Sequence, residues 1–244
     1  WGGVLGLIIG DDKDVGEAAI LVGDPDRVNR IGKLLKDPVF LPEKRGLRSV
    51  TGGFGGRQVT VAAFGMGAPI AAIVMHELAD LGIRRFLRIG TAMHFAPARP
   101  GDFLISREAI AHDGTAPAYA DTRHPIPADP ALIAQLEAAV TAEGARPLVG
   151  TYATFDAFYR DMFALEAGTV PRVTAVRERL RQDGVLATDM ETSALLAVAQ
   201  ALGLSAATLC LGTVDGISQQ KLDTTRLDEG EARLFRIALC ALTA

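Results

Sequence analysis

A short motif near the start of the chain, residues 23–27 (Gly-Asp-Pro-Asp-Arg), has the composition of an anion-binding site. It follows the apolar run 18–22, which is typical of a short buried strand. Gly23 lets the backbone turn and lets another group approach closely, and the Asp-Pro pair after it suits the start of a helix. The free amides of that helix start, together with the guanidinium of Arg27, favour phosphate. An ordinary strand–turn–helix joint with a surface arginine is the alternative.

A second candidate is Arg88, which lies inside the apolar run 86–89 and is followed by Gly90 and Thr91. Its apolar neighbours predict burial, and an unpaired buried guanidinium costs several kcal/mol. Arg88 therefore needs an internal carboxylate or a bound anion, and Thr91 adds a hydroxyl just past the predicted strand end. The alternative is an edge strand on which Arg88 faces solvent.

A third candidate is the acidic segment 189–191 (Asp-Met-Glu), which separates the predicted strand 186–188 from the predicted helix 191–202. Its carboxylates suit a helix start, both as capping groups and as partners of the helix dipole. The functional alternative is that Glu191 binds the vicinal hydroxyls of a sugar. The local sequence leaves both interpretations open.

A fourth candidate is Asp215, which follows the apolar strand 205–214 and precedes Gly216. A carboxylate at a strand end of an α/β sheet points to the ligand crevice. If it is desolvated, its pKa rises from about 4 and it can act as a general acid. A simple Asp-Gly turn is the alternative.

Composition limits the class of protein. Apolar residues make up 49% of the 244 residues, which fits one large α/β domain over residues 1–244, or two small ones. The net charge of −4 and the lack of a basic run argue against nucleic acid as the main partner. The four histidines have no zinc-ligand spacing, so no metal is expected.

The chain also carries signals about its compartment. The apolar run 4–9 is too short to span a bilayer and lacks the basic flank of a signal peptide, so we expect no membrane association. Cys210 and Cys240 lie in apolar segments and are predicted to be buried thiols in a reducing, cytoplasmic setting. Trp1 is not a usual first residue, so we expect a few residues before it.

Strand and helix signals alternate to the end of the chain, which predicts a layered α/β/α sheet. The predicted strands are 18–22, 45–51, 58–64, 86–89, 103–111, 148–154, 186–188 and 205–214. The predicted helices are 28–35, 70–81, 132–140, 173–180, 191–202 and 228–242. Residues 112–130 are predicted to form a long loop, which is a candidate pocket wall.

In order along nearly the whole chain, these stretches resemble the nucleoside phosphorylases of the hexameric purine and uridine phosphorylase family. The matching segments are 23–27, 45–46, 65–67 with 77–78, 88–91, 158–159 and 189–191. One motif alone is weak evidence, but several in register are specific. The resemblance implies a three-layer α/β/α sandwich with a central mixed sheet. It also implies a homo-oligomer, a dimer with shared active sites that is often part of a trimer of dimers.

The resemblance further implies a reaction in which phosphate attacks C1′ of a nucleoside, with no metal or organic cofactor. The implied phosphate ligands are Gly23, Arg27, Arg88, Thr91 and the partner subunit's Arg45. The implied ribose ligands are Thr91, Met190 and Glu191, and the implied base contacts are Ala92, Met93, Phe158, Asp189 and Asp215. Arg88 and Asp215 are the implied catalytic residues, because bound phosphate stabilises an oxocarbenium-like transition state and an acid can protonate purine N7.

The chain departs from the family pattern at residues that would contact the nucleobase. Uridine phosphorylases carry a glutamine and an arginine where this chain has Met162 and Ala164. This difference, together with Asp215, favours purine ribonucleosides over uridine. Arg226 is a candidate for the downstream arginine of the purine enzymes. Residues 92–95 replace a Gly-Ala turn of the family.

A further departure is Val4, which stands where the family carries a histidine that contacts the ribose. Three alternatives to a purine phosphorylase therefore stay open. The first is a uridine phosphorylase. The second is a hydrolytic nucleosidase of the same fold, which would not need three phosphate-binding arginines. The third is a nucleoside-binding protein without turnover.

Overall fold

The computed structural model describes residues 15–244, in which ten β-strands alternate with seven α-helices. The strands are β1 (Ala18–Val22), β2 (Lys36–Phe40), β3 (Ser49–Phe54), β4 (Arg57–Ala63), β5 (Arg85–His94), β6 (Phe103–His112), β7 (Ile126–Pro127), β8 (Leu148–Phe155), β9 (Val185–Asp189) and β10 (Ser205–Asp215). The helices are α1 (Pro25–Gly32), α2 (Ala68–Asp80), α3 (Pro130–Ala142), α4 (Phe158–Met162), α5 (Val170–Gln182), α6 (Thr192–Leu202) and α7 (Thr224–Thr243). The predictions for 4–9 and Val4 lie outside the described residues.

All ten strands join one mixed sheet that is organised around β5. This strand pairs in parallel with β1 and β10, and its last residues pair antiparallel with β9. β10 also pairs with β6, β6 pairs with β8, and β8 pairs with β9. Because β9 pairs with β5, these five strands close into a ring. Beyond β1 the sheet continues through β4, β3 and β2. The alternation of elements predicted a layered sheet and the family resemblance implied a mixed one, whereas the ring depends on pairings between distant strands.

Helices cover both faces of this sheet, as β10 illustrates. Thr208 faces α6, because its hydroxyl accepts a hydrogen bond from the Thr192 hydroxyl at 3.0 Å. Leu211 faces α7, where it packs so closely that a Cβ at Gly230 would lie 2.7 Å from it. The two positions differ by an odd number of residues, so they point to opposite faces of the sheet. The predicted three-layer α/β/α arrangement is confirmed.

Helix α1 begins where the local chemistry predicts. Asp24 is its N-cap and accepts a hydrogen bond from the Asp26 amide at 2.9 Å, and Pro25 is its first residue. The helix therefore starts three residues before the predicted bound of 28. It ends at Gly32, because the chain then enters the edge strand β2.

Several elements differ from the sequence predictions. β2 was not predicted, because it contains Pro38 and all its residues are exposed, which is typical of an edge strand. The short helix α4 was also not predicted. Residues 112–130 hold a 3₁₀ turn and strand β7, so the predicted long loop is partly regular structure. Cys240 is exposed, unlike its predicted burial, because it lies on the outer face of α7. Within residues 15–244, no helix has the length and apolarity needed to cross a membrane.

Candidate active site

The candidate site lies where the carboxyl end of β1 meets the middle of β5. Val22 is the register partner of Ile89, so the turn that begins at Gly23 follows directly beside Gly90 and Thr91. Ligands of open α/β sheets bind in the crevice beyond such strand ends. The prediction that Thr91 lies just past the end of the strand is wrong. β5 continues to His94, so Thr91 lies within the strand.

Gly23 brings two turns into contact at this edge. A Cβ on Gly23 would lie 2.9 Å from the carbonyl oxygen of Gly65, closer than real Cβ atoms approach a backbone oxygen. Gly65 and Gly67 have φ values of +83° and +102°, which favour glycine. The predicted close approach is therefore present, and its partner is the turn that starts helix α2.

Arg88 is buried and carries its counter-charge within the chain. Its Nη2 donates to Oε2 of Glu191 at 2.5 Å, and its Nη1 lies 3.2 Å from Oδ2 of Asp189. We call these three residues the Arg88 cluster. The alternative of an edge-strand arginine facing solvent is wrong, since β5 is paired on both sides.

The Arg88 cluster places two carboxylates beside one buried cation. Burial by itself lowers the pKa of the guanidinium, but Cys210 and the two carboxylates outweigh burial and raise the pKa overall. Burial also raises the pKa of the Cys210 thiol, so this thiol is neutral at neutral pH. The two carboxylates therefore supply the counter-charge.

Glu191 connects the cluster to the Gly67 turn. Its Oε1 accepts a hydrogen bond from the Gly67 amide at 2.9 Å, while its Oε2 holds Arg88. Glu191 is the N-cap residue of α6, as the capping interpretation expects, although no side-chain capping bond forms. One carboxylate thus fixes the starts of α2 and α6 relative to β5. Met190 is half-buried directly before it.

Asp189 is occupied by donors from inside the protein. It accepts hydrogen bonds from the Thr154 hydroxyl at 2.8 Å and from the Thr192 hydroxyl at 2.5 Å, and its side chain is only 1% exposed. These contacts favour a role in positioning Arg88. The predicted direct contact of Asp189 with a base stays a prediction that its surroundings do not support.

Arg27 points toward helix α7 and binds Glu231 there. Its Nε and Nη2 donate to Oε1 of Glu231 at 3.0 and 2.6 Å, and Arg30 donates to the other carboxylate oxygen. Glu231 is buried between the apolar positions Gly230 and Leu234. Sequence reasoning missed this residue, although an acid on the apolar face of a helix was the available signal.

Arg45 lies in an exposed turn before β3. It is exposed, with φ at +54°, in the turn closed by the bridge between Lys44 and Leu47. Its predicted role belongs to a neighbouring subunit, and its exposed position is compatible with that role.

Two of the predicted base contacts, Met93 and Phe158, meet at a second apolar cluster beside β5. This satellite cluster consists of buried Met93, Phe95, Ala153, Phe155, Met162, Leu180 and Val185. Phe158 is half-buried against it, as a wall residue would be. Ala92 is buried on the other side of β5 in the main core. Met162, which occupies the position of the uridine enzymes' glutamine, is fully buried.

Asp215 has a different electrostatic state from the one its strand-end position predicted. Burial pushes its pKa up, but the amides of Ser218 and Ile217 donate to its Oδ1 at 2.7 and 2.9 Å and lower the pKa overall. The expectation of a raised pKa is therefore wrong, because hydrogen bonds to the charged form outweigh desolvation. Arg226 donates to the carbonyl of Pro100 at 2.9 Å.

The fold is a mixed α/β sheet with helices on both faces, and comparison with known proteins identifies its family. The model of the Phosphorylase superfamily matches residues 17–243, so the chain belongs to that superfamily. The predicted nucleoside phosphorylase family and enzyme class are confirmed.

Individual relatives make the similarity more specific. A uridine phosphorylase of Haemophilus influenzae is 32% identical over 230 residues, which cover 93% of this chain and 91% of the relative. A uridine phosphorylase of Escherichia coli is 32% identical over 225 residues, 91% of this chain and 89% of the relative. A guanosine phosphorylase of Halorubrum lacusprofundi is 30% identical over 245 residues, 96% of each chain.

Proposed function

We propose that this protein phosphorolyses uridine to uracil and ribose 1-phosphate. The observation that carries the proposal is the pairing of Arg88 with Glu191 beside the Gly23 turn. It puts a cation next to the carboxylate that we propose as the sugar ligand. The similarity to uridine phosphorylases along most of the chain favours uridine over the purine preference that Met162, Ala164 and Asp215 suggested.

The residues would divide the chemistry as follows. Phosphate would lie at the Gly23 turn near Arg88, and its charge would stabilise the oxocarbenium-like transition state at C1′. Glu191 would hold the ribose hydroxyls. Because Arg88 and Glu191 are hydrogen-bonded to each other, the two binding groups keep a fixed spacing, which orients phosphate for attack. Inorganic phosphate is the co-substrate, and we propose no metal or organic cofactor.

A purine nucleoside is the second candidate substrate. The similarity to a guanosine phosphorylase favours it, and so does the carboxylate of Asp215 at the end of β10. The lowered pKa of Asp215 argues against it as a general acid in the free enzyme, since the carboxyl is ionised at neutral pH.

Base release from uridine and from inosine, each with and without millimolar phosphate, tests the function. We expect uracil release that depends on phosphate and exceeds hypoxanthine release. Faster release from inosine would make the purine alternative correct. Release that is independent of phosphate would indicate a hydrolase, and release from neither nucleoside would indicate a binding protein.

We also propose a homodimer in which Arg45 completes the phosphate site of the partner subunit. Arg45→Ala and Glu191→Gln chains, each poorly active alone, should restore activity when they are unfolded and refolded together. Half of the resulting dimers are mixed and each mixed dimer has one intact site, so we expect about a quarter of wild-type activity per chain. If Arg45 serves its own subunit, co-refolding restores nothing. The control is a mixture of the two variants that is never unfolded.

For the setting of this enzyme we propose the reducing cytoplasm. Both cysteines, Cys210 and Cys240, are free thiols, which suits a reducing compartment.

A further inference from the structure

Arg177 stands apart from the other arginines of helix α5. Arg172, Arg179 and Arg181 each form an ion pair, with Asp161 at 3.0 Å, Asp183 at 2.8 Å and Glu178 at 2.5 Å. Arg177 forms no ion pair with any carboxylate in residues 15–244, and its Nε is buried without a hydrogen-bond partner there. Its one acceptor within the described residues 15–244 is the carbonyl of Met162, at the long distance of 3.4 Å.

The position of Arg177 on α5 explains its desolvation. The buried residues Val173 and Leu180 are four residues before it and three after it, so Arg177 shares their inward face. Burial lowers the pKa of this guanidinium, with no anion to compensate. A partly buried cation with spare donors is costly unless an acceptor satisfies it.

The surroundings indicate where that acceptor comes from. Leu180 and Met162, on either side of Arg177, belong to the satellite cluster, which also contains Met93 and packs against Phe158. Met93 and Phe158 are two of the residues predicted to contact the base. Arg177 is therefore a donor-only group at the margin of the apolar surface that would hold a base.

We propose that Arg177 determines base specificity by donating a hydrogen bond to an exocyclic carbonyl oxygen of the base. A guanidinium has only donors, so it matches the oxygens of uracil, hypoxanthine or guanine and mismatches the amino group of adenine. This inference rests on the proposed nucleoside site. It extends that proposal by naming the class of base and the residue that selects it.

The test measures binding of the free bases uracil, hypoxanthine and adenine by titration calorimetry, separately from turnover. For Arg177→Met we expect about ten- to a hundredfold weaker binding of uracil and hypoxanthine, with adenine unchanged, because a hydrogen bond from a charged donor is lost. Arg177→Lys, which keeps a charged donor, should lose less. The control is Arg179→Met on the same helix, whose side chain is 74% exposed and ion-paired, and which should bind all three bases like the wild type.

The outcomes separate this inference from the proposed function. The inference is overturned if wild type and Arg177→Met bind uracil equally well. It is also overturned if the variant loses as much affinity for adenine as for uracil, or if the wild-type protein binds none of the bases. Selective loss of carbonyl-bearing bases supports it even if the enzyme shows no phosphate-dependent turnover, in which case only the phosphorolytic function fails. The melting temperature of Arg177→Met, and base binding by Arg177→Lys, distinguish lost recognition from lost folding.

Discussion

Replacing Arg88 by methionine should lower the free energy of unfolding by about 3–5 kcal/mol, the usual cost of removing one partner from a buried ion pair. The substitution leaves the carboxylates of Asp189 and Glu191 without their cation in a site where both side chains are under 10% exposed. Urea unfolding monitored by circular dichroism measures this change. Arg88→Met should also abolish phosphate-dependent turnover, because the proposed phosphate ligand is lost.

Two comparisons test whether the buried charge is the cause. Arg179→Met removes an exposed ion pair and should change stability by about 1 kcal/mol or less. Adding Asp189→Asn and Glu191→Gln to Arg88→Met removes the unpaired charges and should recover part of the lost stability. If Arg88→Met costs no more than Arg179→Met, the Arg88 cluster does not stabilise the fold through its charges.

Replacing Glu191 by glutamine should reduce kcat/KM for uridine about a hundredfold, because hydrogen bonds to a charged acceptor are worth about 1.5–3 kcal/mol each. Glutamine has the same shape, so it can still accept the bond from the Gly67 amide while it loses the ion pair with Arg88. Asp189 keeps a counter-charge beside Arg88, so the variant should lose less stability than Arg88→Met.

Steady-state kinetics on uridine and 2′-deoxyuridine tests whether Glu191 acts on the sugar. The loss caused by Glu191→Gln should be smaller for the deoxynucleoside, which lacks one of the hydroxyls proposed to bind the carboxylate. Glu178→Gln is a matched control, since this glutamate is exposed and paired with Arg181 on α5. An identical loss on both nucleosides would instead assign Glu191 a purely structural role through Arg88.

Local patterns along the chain were sufficient where neighbouring residues decide the outcome. The start of α1 followed from Asp24 and Pro25, because capping involves residues two or three apart. The apolar neighbours of Arg88 indicated its burial and a need for a counter-charge, and the structure excludes the solvent-facing alternative. The alternation of strands and helices likewise predicted the layered sheet, since each element carries its own periodicity.

Electrostatic states were less predictable than positions. The strand-end position of Asp215 was predictable, but its pKa is lowered because the chain turns back to present the Ser218 and Ile217 amides. The expected contact of Asp189 with a base is likewise not supported. Thr154, 35 residues away in the chain, donates a hydrogen bond to the Asp189 carboxylate. Burial and hydrogen bonding act in opposite directions on a carboxylate, and only their three-dimensional balance fixes the sign.

The sequence by itself determined the class of fold, the strand–turn–helix joint at Gly23 and the requirement that Arg88, if buried, have a partner. The tertiary structure decided which groups meet those requirements. Arg88 pairs with Glu191, 103 residues away, and Arg27 pairs with Glu231, 204 residues away. The physical reason is that periodicity and capping report contacts within a turn or a strand. Ion pairs between layers depend on how the sheet closes and how its helices pack.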